Sequence, residues 1–139
     1  MTGIAGTVAL VLSVLAALHF YWAAGGARGR VAAVPEHEGR PLFSPGPVAC
    51  VTVGVSLLFA ALLVCWTARL WAPAVIPLRL ARLGTGVLAA ALLLRAVGDR
   101  KYVGFFKRVR GTAFARWDSR LYAPLCLLLG LGAAAVAIS

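Results

Sequence analysis

Two carboxylic acids bracket a basic and aromatic segment in the second half of this chain. Asp99 follows Gly98 at the end of one apolar run, and Asp118 lies just before the next run. Both side chains should therefore lie near the edge of a hydrocarbon layer, where poor solvation favours the neutral form of a carboxyl group. A neutral carboxyl that faces an apolar pocket can donate a proton. We assign this catalytic role to Asp99, with Asp118 as its partner or alternative.

Each acid also has a structural explanation that the sequence leaves open. Asp118 precedes Ser119 at the start of an apolar run, where an N-cap stabilises a helix by about 1 kcal/mol. Asp99 lies beside Arg95 and could form an interfacial ion pair with it, which contributes little where water reaches the pair.

Aromatic residues are concentrated at the same end of the predicted helices as these acids. Of the six Phe, four Trp and three Tyr, only Phe59, Trp66 and Trp71 fall elsewhere. An interfacial belt would mark both membrane faces, so the asymmetry favours a pocket whose aromatic faces stabilise a cation. His19 and Arg95 could tune the acid. The predicted substrate-binding residues are His19, Tyr21, Trp22, Arg95, Phe105, Trp117 and Tyr122.

Four apolar runs must position these residues. They cover about residues 4–24, 48–68, 77–96 and 121–138. Each comes close to the roughly 20 residues that a helix needs to cross a bilayer core, where backbone groups cannot stay unpaired. With 62% hydrophobic residues and a mean hydropathy of +0.92, the chain predicts an all-α integral membrane four-helix bundle, a single domain over residues 1–139. Pro73 and Pro77 bracket a tight turn between the second and third spans.

The segment between the third and fourth spans has a pattern of its own. From Lys101 to Trp117, aromatic and apolar residues recur at helical spacing, while Lys107 and Arg108 fall on other faces. This pattern predicts an interfacial amphipathic helix that lies on the membrane surface or caps the bundle, with a break at Gly111. A lipid-surface helix without any chemistry fits the same pattern.

Basic residues are distributed unevenly between the loops. The first and third loops with their flanks carry 11 of the 14 Lys and Arg residues, and the second carries 3. Because basic loops resist translocation, we expect loops one and three to be cytoplasmic and both termini to lie outside a bacterial plasma membrane.

The net charge of +10 fits anionic lipids as partners, and no nucleic-acid-binding motif accompanies it. Neither the cysteines nor Glu36, His37 and Glu38 have metal-ligand spacing, so we expect no metal and no cofactor.

Several stretches of the chain carry a family resemblance. They are residues 19–23, 25–26, 39–43, 98–99, 103–107, 114–118 and 121–126. Over these stretches, which span nearly the whole chain, the sequence resembles small bacterial four-span membrane proteins catalogued as a domain of unknown function. In size and span number it is similar to the membrane-bound terpene cyclases of drimentine-type indole-diketopiperazine biosynthesis. The resemblance implies protonation of the terminal alkene of a farnesylated indole-type substrate, followed by cyclisation through carbocations.

Two other functions remain open at this level. A non-catalytic adaptor could use the basic third loop to recruit a partner or anionic lipid. A small transporter would need polar groups along a path through the membrane, and the second and fourth spans contain no charged residue while the first offers only His19. If the chain is an enzyme, its partner is a lipophilic prenylated small molecule. The oligomeric state stays open, since a dimer that shares a site is compatible with four short spans.

Overall fold

The structure, a computed structural model, is a bundle of four long helices. It describes residues 1–71 and 76–139, so the turn predicted at Pro73 lies outside the described residues. The described elements are α1 (Thr2–Ala23), α2 (Arg30–Ala33), β1 (Glu36–His37), β2 (Arg40–Pro41), α3 (Pro47–Thr67), α4 (Leu78–Val97), α5 (Ala113–Trp117), a π-helical turn (Asp118–Tyr122) and α6 (Ala123–Ile138). The last three elements run on as one continuous helix, Ala113–Ile138.

Four helices are long and apolar enough to cross a membrane, namely α1, α3, α4 and the last continuous helix. Their outward faces are apolar, and Leu10, Leu83, Leu94 and Leu128 are each 65–70% exposed. In water these faces would form an extended unprotected hydrophobic surface, whereas lipid solvates them. The predicted all-α, four-helix membrane bundle is confirmed.

The bundle consists of two closely packed helix pairs, α1 with α3 and α4 with α6, and α3 also contacts α4. Glycine permits the closest approach within each pair, because a Cβ at Gly54 would collide with Phe20 and one at Gly130 with Leu93. Lipid offers no hydrophobic driving force between helices, so small interface residues that allow tight packing take its place. Contact between α1 and α6 is much sparser, which leaves room for a cleft between the two pairs.

The first loop (residues 24–46) and the third loop (residues 98–112) lie together at one end of the bundle, which we term the basic end. The hydroxyl of Tyr122, at the end of the π-helical turn, donates a hydrogen bond to the Ala32 carbonyl of α2 (3.2 Å). α2 also packs against α5. The two loops thus lie at the same end of the bundle, and α2 lies over that end.

The third loop departs from the interfacial amphipathic helix that periodicity predicts. Its residues form turns, and helical structure resumes only at α5. Gly98 and Gly104 have positive φ angles of 83° and 88° and pack against each other so closely that a Cβ on either would collide with backbone atoms. Lys107 is buried in this loop, although helical periodicity would place its side chain on an exposed face. The helix prediction is wrong over residues 101–112. The loop is held instead by the backbone contact between Gly98 and Gly104 and by hydrogen bonds of Lys107 to residues outside a helical pattern.

The last helix begins one and a half turns before Asp118. Thr112 is its N-cap, and the Thr112 Oγ1 accepts a hydrogen bond from the Ala115 N–H (3.0 Å). The Ala113 N–H donates to Glu36 Oε1 of the first loop (3.1 Å). Asp118 lies inside the helix at the start of the π-helical turn, so its predicted role as an N-cap is wrong. Its carboxylate is free for partners outside its own helix.

Candidate functional site

The Asp118 carboxylate is fully buried at the basic end and accepts three hydrogen bonds. Arg95 Nη2 donates to Oδ1 (2.8 Å), while the Gly104 N–H (2.8 Å) and Lys107 Nζ (3.0 Å) donate to Oδ2. We term Asp118, Arg95, Gly104 and Lys107 the Asp118 cluster. Burying a charge is tolerated only when it is paired and hydrogen-bonded, and these donors meet that condition. The cluster thereby joins α4, the third loop and the last helix.

Lys107 uses all of its donors inside this cluster. Its Nζ donates to Asp118 Oδ2, to the Gly104 carbonyl (3.0 Å) and to Ser119 Oγ (2.7 Å). An ammonium has three N–H donors and no acceptor, so this set of partners satisfies it completely. Lys107 is thus a buried cationic side chain with a structural role, which the sequence pattern does not predict.

Asp99 has a different environment, in spite of its similar position in the sequence. It is exposed, and its Oδ1 accepts hydrogen bonds from the backbone N–H groups of Lys101 (2.8 Å), Tyr102 (2.7 Å) and Val103 (3.0 Å). Desolvation raises the pKa of Asp99, but the hydrogen bonds from Val103, Tyr102 and Lys101 outweigh it and lower the pKa below its ordinary value. The resulting stabilisation is present above the unfolded-state pKa and is lost as the pH falls through the folded-state pKa.

This geometry favours a loop-closing role for Asp99 and does not favour proton donation by it. An ionised carboxylate whose acceptor oxygen already holds three N–H groups carries no proton to give. The ion pair predicted between Asp99 and Arg95 is also not formed, since the Arg95 guanidinium pairs with Asp118 instead.

A cavity of about 570 Å³ opens between the two helix pairs just inside the basic end. Its walls come from α1, from α2 and the residue before it, from Arg95 of α4 and from the last helix. They consist of Leu15, Leu18, His19, Trp22, Gly29, Ala32, Ala33, Arg95, Phe114, Trp117, Leu121, Tyr122 and Leu125. We term this space the aromatic cavity. Its volume falls within the range of small-molecule sites in proteins.

The aromatic cavity opens toward the lipid-facing surface. Leu18, Trp117 and Leu121 line the cavity and are also 37–51% exposed on the outside of the bundle. A molecule dissolved in the bilayer could therefore enter from the side, between α1 and the last helix.

The polar atoms of the ring side chains that line the cavity form hydrogen bonds within the protein. His19 Nδ1 donates to the Leu15 carbonyl (2.8 Å), and the His19 ring meets Trp22 edge to face at 5.1 Å. Trp22 Nε1 donates to the Arg28 carbonyl (2.9 Å), and the Tyr122 ring lies 6.0 Å from that of Phe114. These contacts fix the ring orientations, so the cavity is largely preformed.

A smaller cavity of about 290 Å³ lies on the other side of His19, Trp22 and Ala33. It is lined further by Phe43 of the first loop and by Cys50 of α3, among others. The His19 and Trp22 rings therefore form a wall shared by two cavities.

Five of the seven predicted substrate-binding residues line the aromatic cavity, namely His19, Trp22, Arg95, Trp117 and Tyr122. Tyr21 does not, because its ring lies against Gly26 and its hydroxyl accepts a weak hydrogen bond from the Arg28 N–H (3.4 Å). Phe105 belongs to the third loop and is not part of the lining.

Neither predicted catalytic acid lines the cavity. Asp118 is linked to it through Arg95, which both pairs with Asp118 and faces the cavity, whereas Asp99 lies on the exposed loop. Phe114 also lines the cavity, although it is not among the predicted substrate-binding residues. Ala32 and Ala33 carry no sequence signal for this role, because their place depends on how α2 folds over the bundle.

The model of a family described as "Protein of unknown function (DUF3995)" matches residues 12–133. No curated protein and no solved structure matches the chain. The family match covers all the walls of the aromatic cavity and the whole Asp118 cluster.

We expect Asp118→Asn to lower the free energy of unfolding by roughly 3–5 kcal/mol, the range for removing one partner of a buried ion pair. The physical reason is that Lys107 would remain as a buried cation without a counter-charge, while the partly exposed Arg95 would also lose its ion pair. Unfolding in mixed micelles with a rising fraction of SDS, followed by circular dichroism, measures the change. Asp99→Asn is the matched control, and it should cost less because its site is exposed. Equal losses in the two variants would refute the dominant role of the cluster.

Proposed function

The chain belongs to this family of proteins of unknown function, and we propose that it binds a lipophilic small molecule in the aromatic cavity. The observation that carries the proposal is the cavity itself. Its lining is mostly aliphatic and aromatic, its ring orientations are fixed by the protein, and it opens where the bundle faces lipid. Preformed apolar cavities with a few convergent polar groups are the usual form of a small-molecule site.

A prenylated compound is the ligand class we propose. Such a molecule partitions into the bilayer and reaches the cavity from the side, past Leu18 and Leu121. Its apolar chain would lie against Trp22, Trp117 and the aliphatic walls, and its polar head would lie toward Arg95 at the basic end. Because the chain comes from lipid and not from water, the affinity rests on its packing against these walls and on the polar contact of the head group.

We expect farnesol, a neutral prenyl alcohol, to change the tryptophan fluorescence of the protein in nanodiscs in a saturable way. Trp22 and Trp117 line the cavity, while Trp66 and Trp71 pack against each other at 6.3 Å and do not line it. The double variant Trp22→Phe, Trp117→Phe should lose the response. The matched control Trp66→Phe, Trp71→Phe should keep it. A response carried by Trp66 and Trp71, or none in the unmodified protein, would overturn the proposal.

Cyclisation of a bound prenyl chain is a second candidate function, favoured by the rings that surround the cavity. In this reaction a proton adds to the terminal alkene, the resulting carbocation forms a C–C bond with the next alkene, and loss of a proton restores a double bond. The product is an isomer of the substrate. The faces of Trp22, Trp117, Phe114 and Tyr122 would stabilise the cationic intermediates, and the apolar walls would keep water away from them.

Asp118 is the better candidate for the proton donor in this reaction. Asp99 is exposed and its carboxylate accepts three backbone N–H groups, whereas Asp118 is buried and contacts a cavity residue, Arg95. Because Asp118 itself accepts three hydrogen bonds as a carboxylate, it must take up a proton before it can protonate the alkene.

We expect incubation of the nanodisc-embedded protein with a farnesylated indole diketopiperazine to yield a product of unchanged mass and shifted retention. Liquid chromatography with mass spectrometry detects it. Asp118→Asn should abolish this product, and Asp99→Asn should retain it. Recovery of substrate alone from the unmodified protein, with binding still detectable, would exclude the cyclase and leave the binding function standing.

The orientation of the bundle is also a proposal, which rests on the distribution of basic residues. We propose that the basic end faces the cytoplasm of a bacterial cell and that both termini face outward. A membrane-impermeant maleimide should label Ser139→Cys in intact cells. It should label Arg108→Cys, on the third loop, only after permeabilisation, since both positions are exposed in the structure. The reverse labelling pattern would invert the orientation.

A further inference from the structure

The Asp118 cluster contains more positive than negative charge. The carboxylate of Asp118 faces two cations, the Arg95 guanidinium and the Lys107 ammonium, so the three side chains together carry one excess positive charge. The Lys107 ammonium donates all three of its N–H groups to acceptors within the protein. The Arg95 guanidinium, in contrast, still has an N–H donor without a partner among the described residues.

Arg95 has a donor atom without a partner. Its Nη2 is bonded to Asp118, but its Nη1 is buried and has no hydrogen-bond partner among the described residues. Buried donors in native proteins are nearly always satisfied, so an unpaired one calls for a partner that the protein does not itself supply. Arg95 also lines the aromatic cavity, in which no carboxylate takes part. The missing partner is therefore expected from the cavity side.

We infer that the ligand of the aromatic cavity is an amphipathic anion, a carboxylate or phosphate carried on a single apolar chain. This inference rests on the proposed binding function and adds the charge class of the ligand to it. The head group pairs with Arg95 Nη1 after the guanidinium pivots on its bond to Asp118, and it neutralises the excess charge of the cluster. The chain extends along Leu15, Trp22 and Leu125 toward the lipid-facing opening. A hydrogen bond from a guanidinium N–H to an oxyanion is charge-assisted and about twice as strong as one between neutral groups.

The experiment compares two probes with the same chain, farnesoic acid and farnesol, by tryptophan fluorescence in nanodiscs of phosphatidylcholine at pH 8. We expect the carboxylate to bind about tenfold more tightly or better, as one charge-assisted hydrogen bond would provide. Arg95→Gln should abolish this preference, so that the carboxylate and the alcohol bind equally, and circular dichroism checks that the variant is folded. Arg95→Lys, which keeps the charge and can still pair with Asp118, should retain part of the preference.

Arg110→Gln is the control for general attraction to the basic surface, because Arg110 lies on the same end but not on the cavity. It should leave the ratio of the two affinities unchanged. Equal binding of both probes to the unmodified protein would overturn the inference but not the binding function. Failure of both probes to bind would overturn the two together. Competition by phosphatidylglycerol in the nanodisc would support the anion class and identify a membrane phospholipid as its source, whereas no competition would support a free amphipathic acid.

Discussion

The buried carboxylate of Asp118 is the interaction on which the rest of the basic end depends. A charge in this position would be strongly unfavourable alone, and it is stabilised by donors from α4 and from two points of the third loop. A loop that would otherwise lie free on the membrane surface is thus fixed to the end of the bundle. The fixed loop positions α5, and α5 in turn supplies Phe114 and Trp117 to the cavity.

The bilayer explains why the cavity lies where it does. Within the hydrocarbon region, each helix pair closes tightly through small residues, as at Gly54 against Phe20 and Gly130 against Leu93. At the basic end, loops and the short helix α2 replace the long helices. Together with the bulky aromatic rings, they fill the space between the two helix pairs only partly. The result is a site with lipid on one side and a cluster of charges on the other. That combination suits a molecule with an apolar chain and a polar head.

The two acids illustrate how much of the site could be predicted. Their residue type and their place beside the apolar runs correctly drew attention to the basic end, and the asymmetry of the aromatic residues did the same for the cavity walls. The difference between the acids could not be predicted. Asp99 accepts hydrogen bonds from residues two to four positions along the chain, while Asp118 depends on Arg95, 23 residues away, and on Lys107, 11 residues away. Lys107 was misplaced because a helical pattern was extended through a loop that turns at Gly98 and Gly104.

The sequence by itself determined the number of membrane helices and their approximate limits, because hydrocarbon imposes a length and a composition on any segment that crosses it. It also determined that most of the charged and aromatic residues lie at one end, since their positions relative to the apolar runs are fixed by the order of residues. The tertiary structure alone decided which of these residues meet. Pairing between helices, the fold of α2 over the bundle and the inward turn of Lys107 depend on contacts between residues that are distant in the chain, and no local pattern records such contacts.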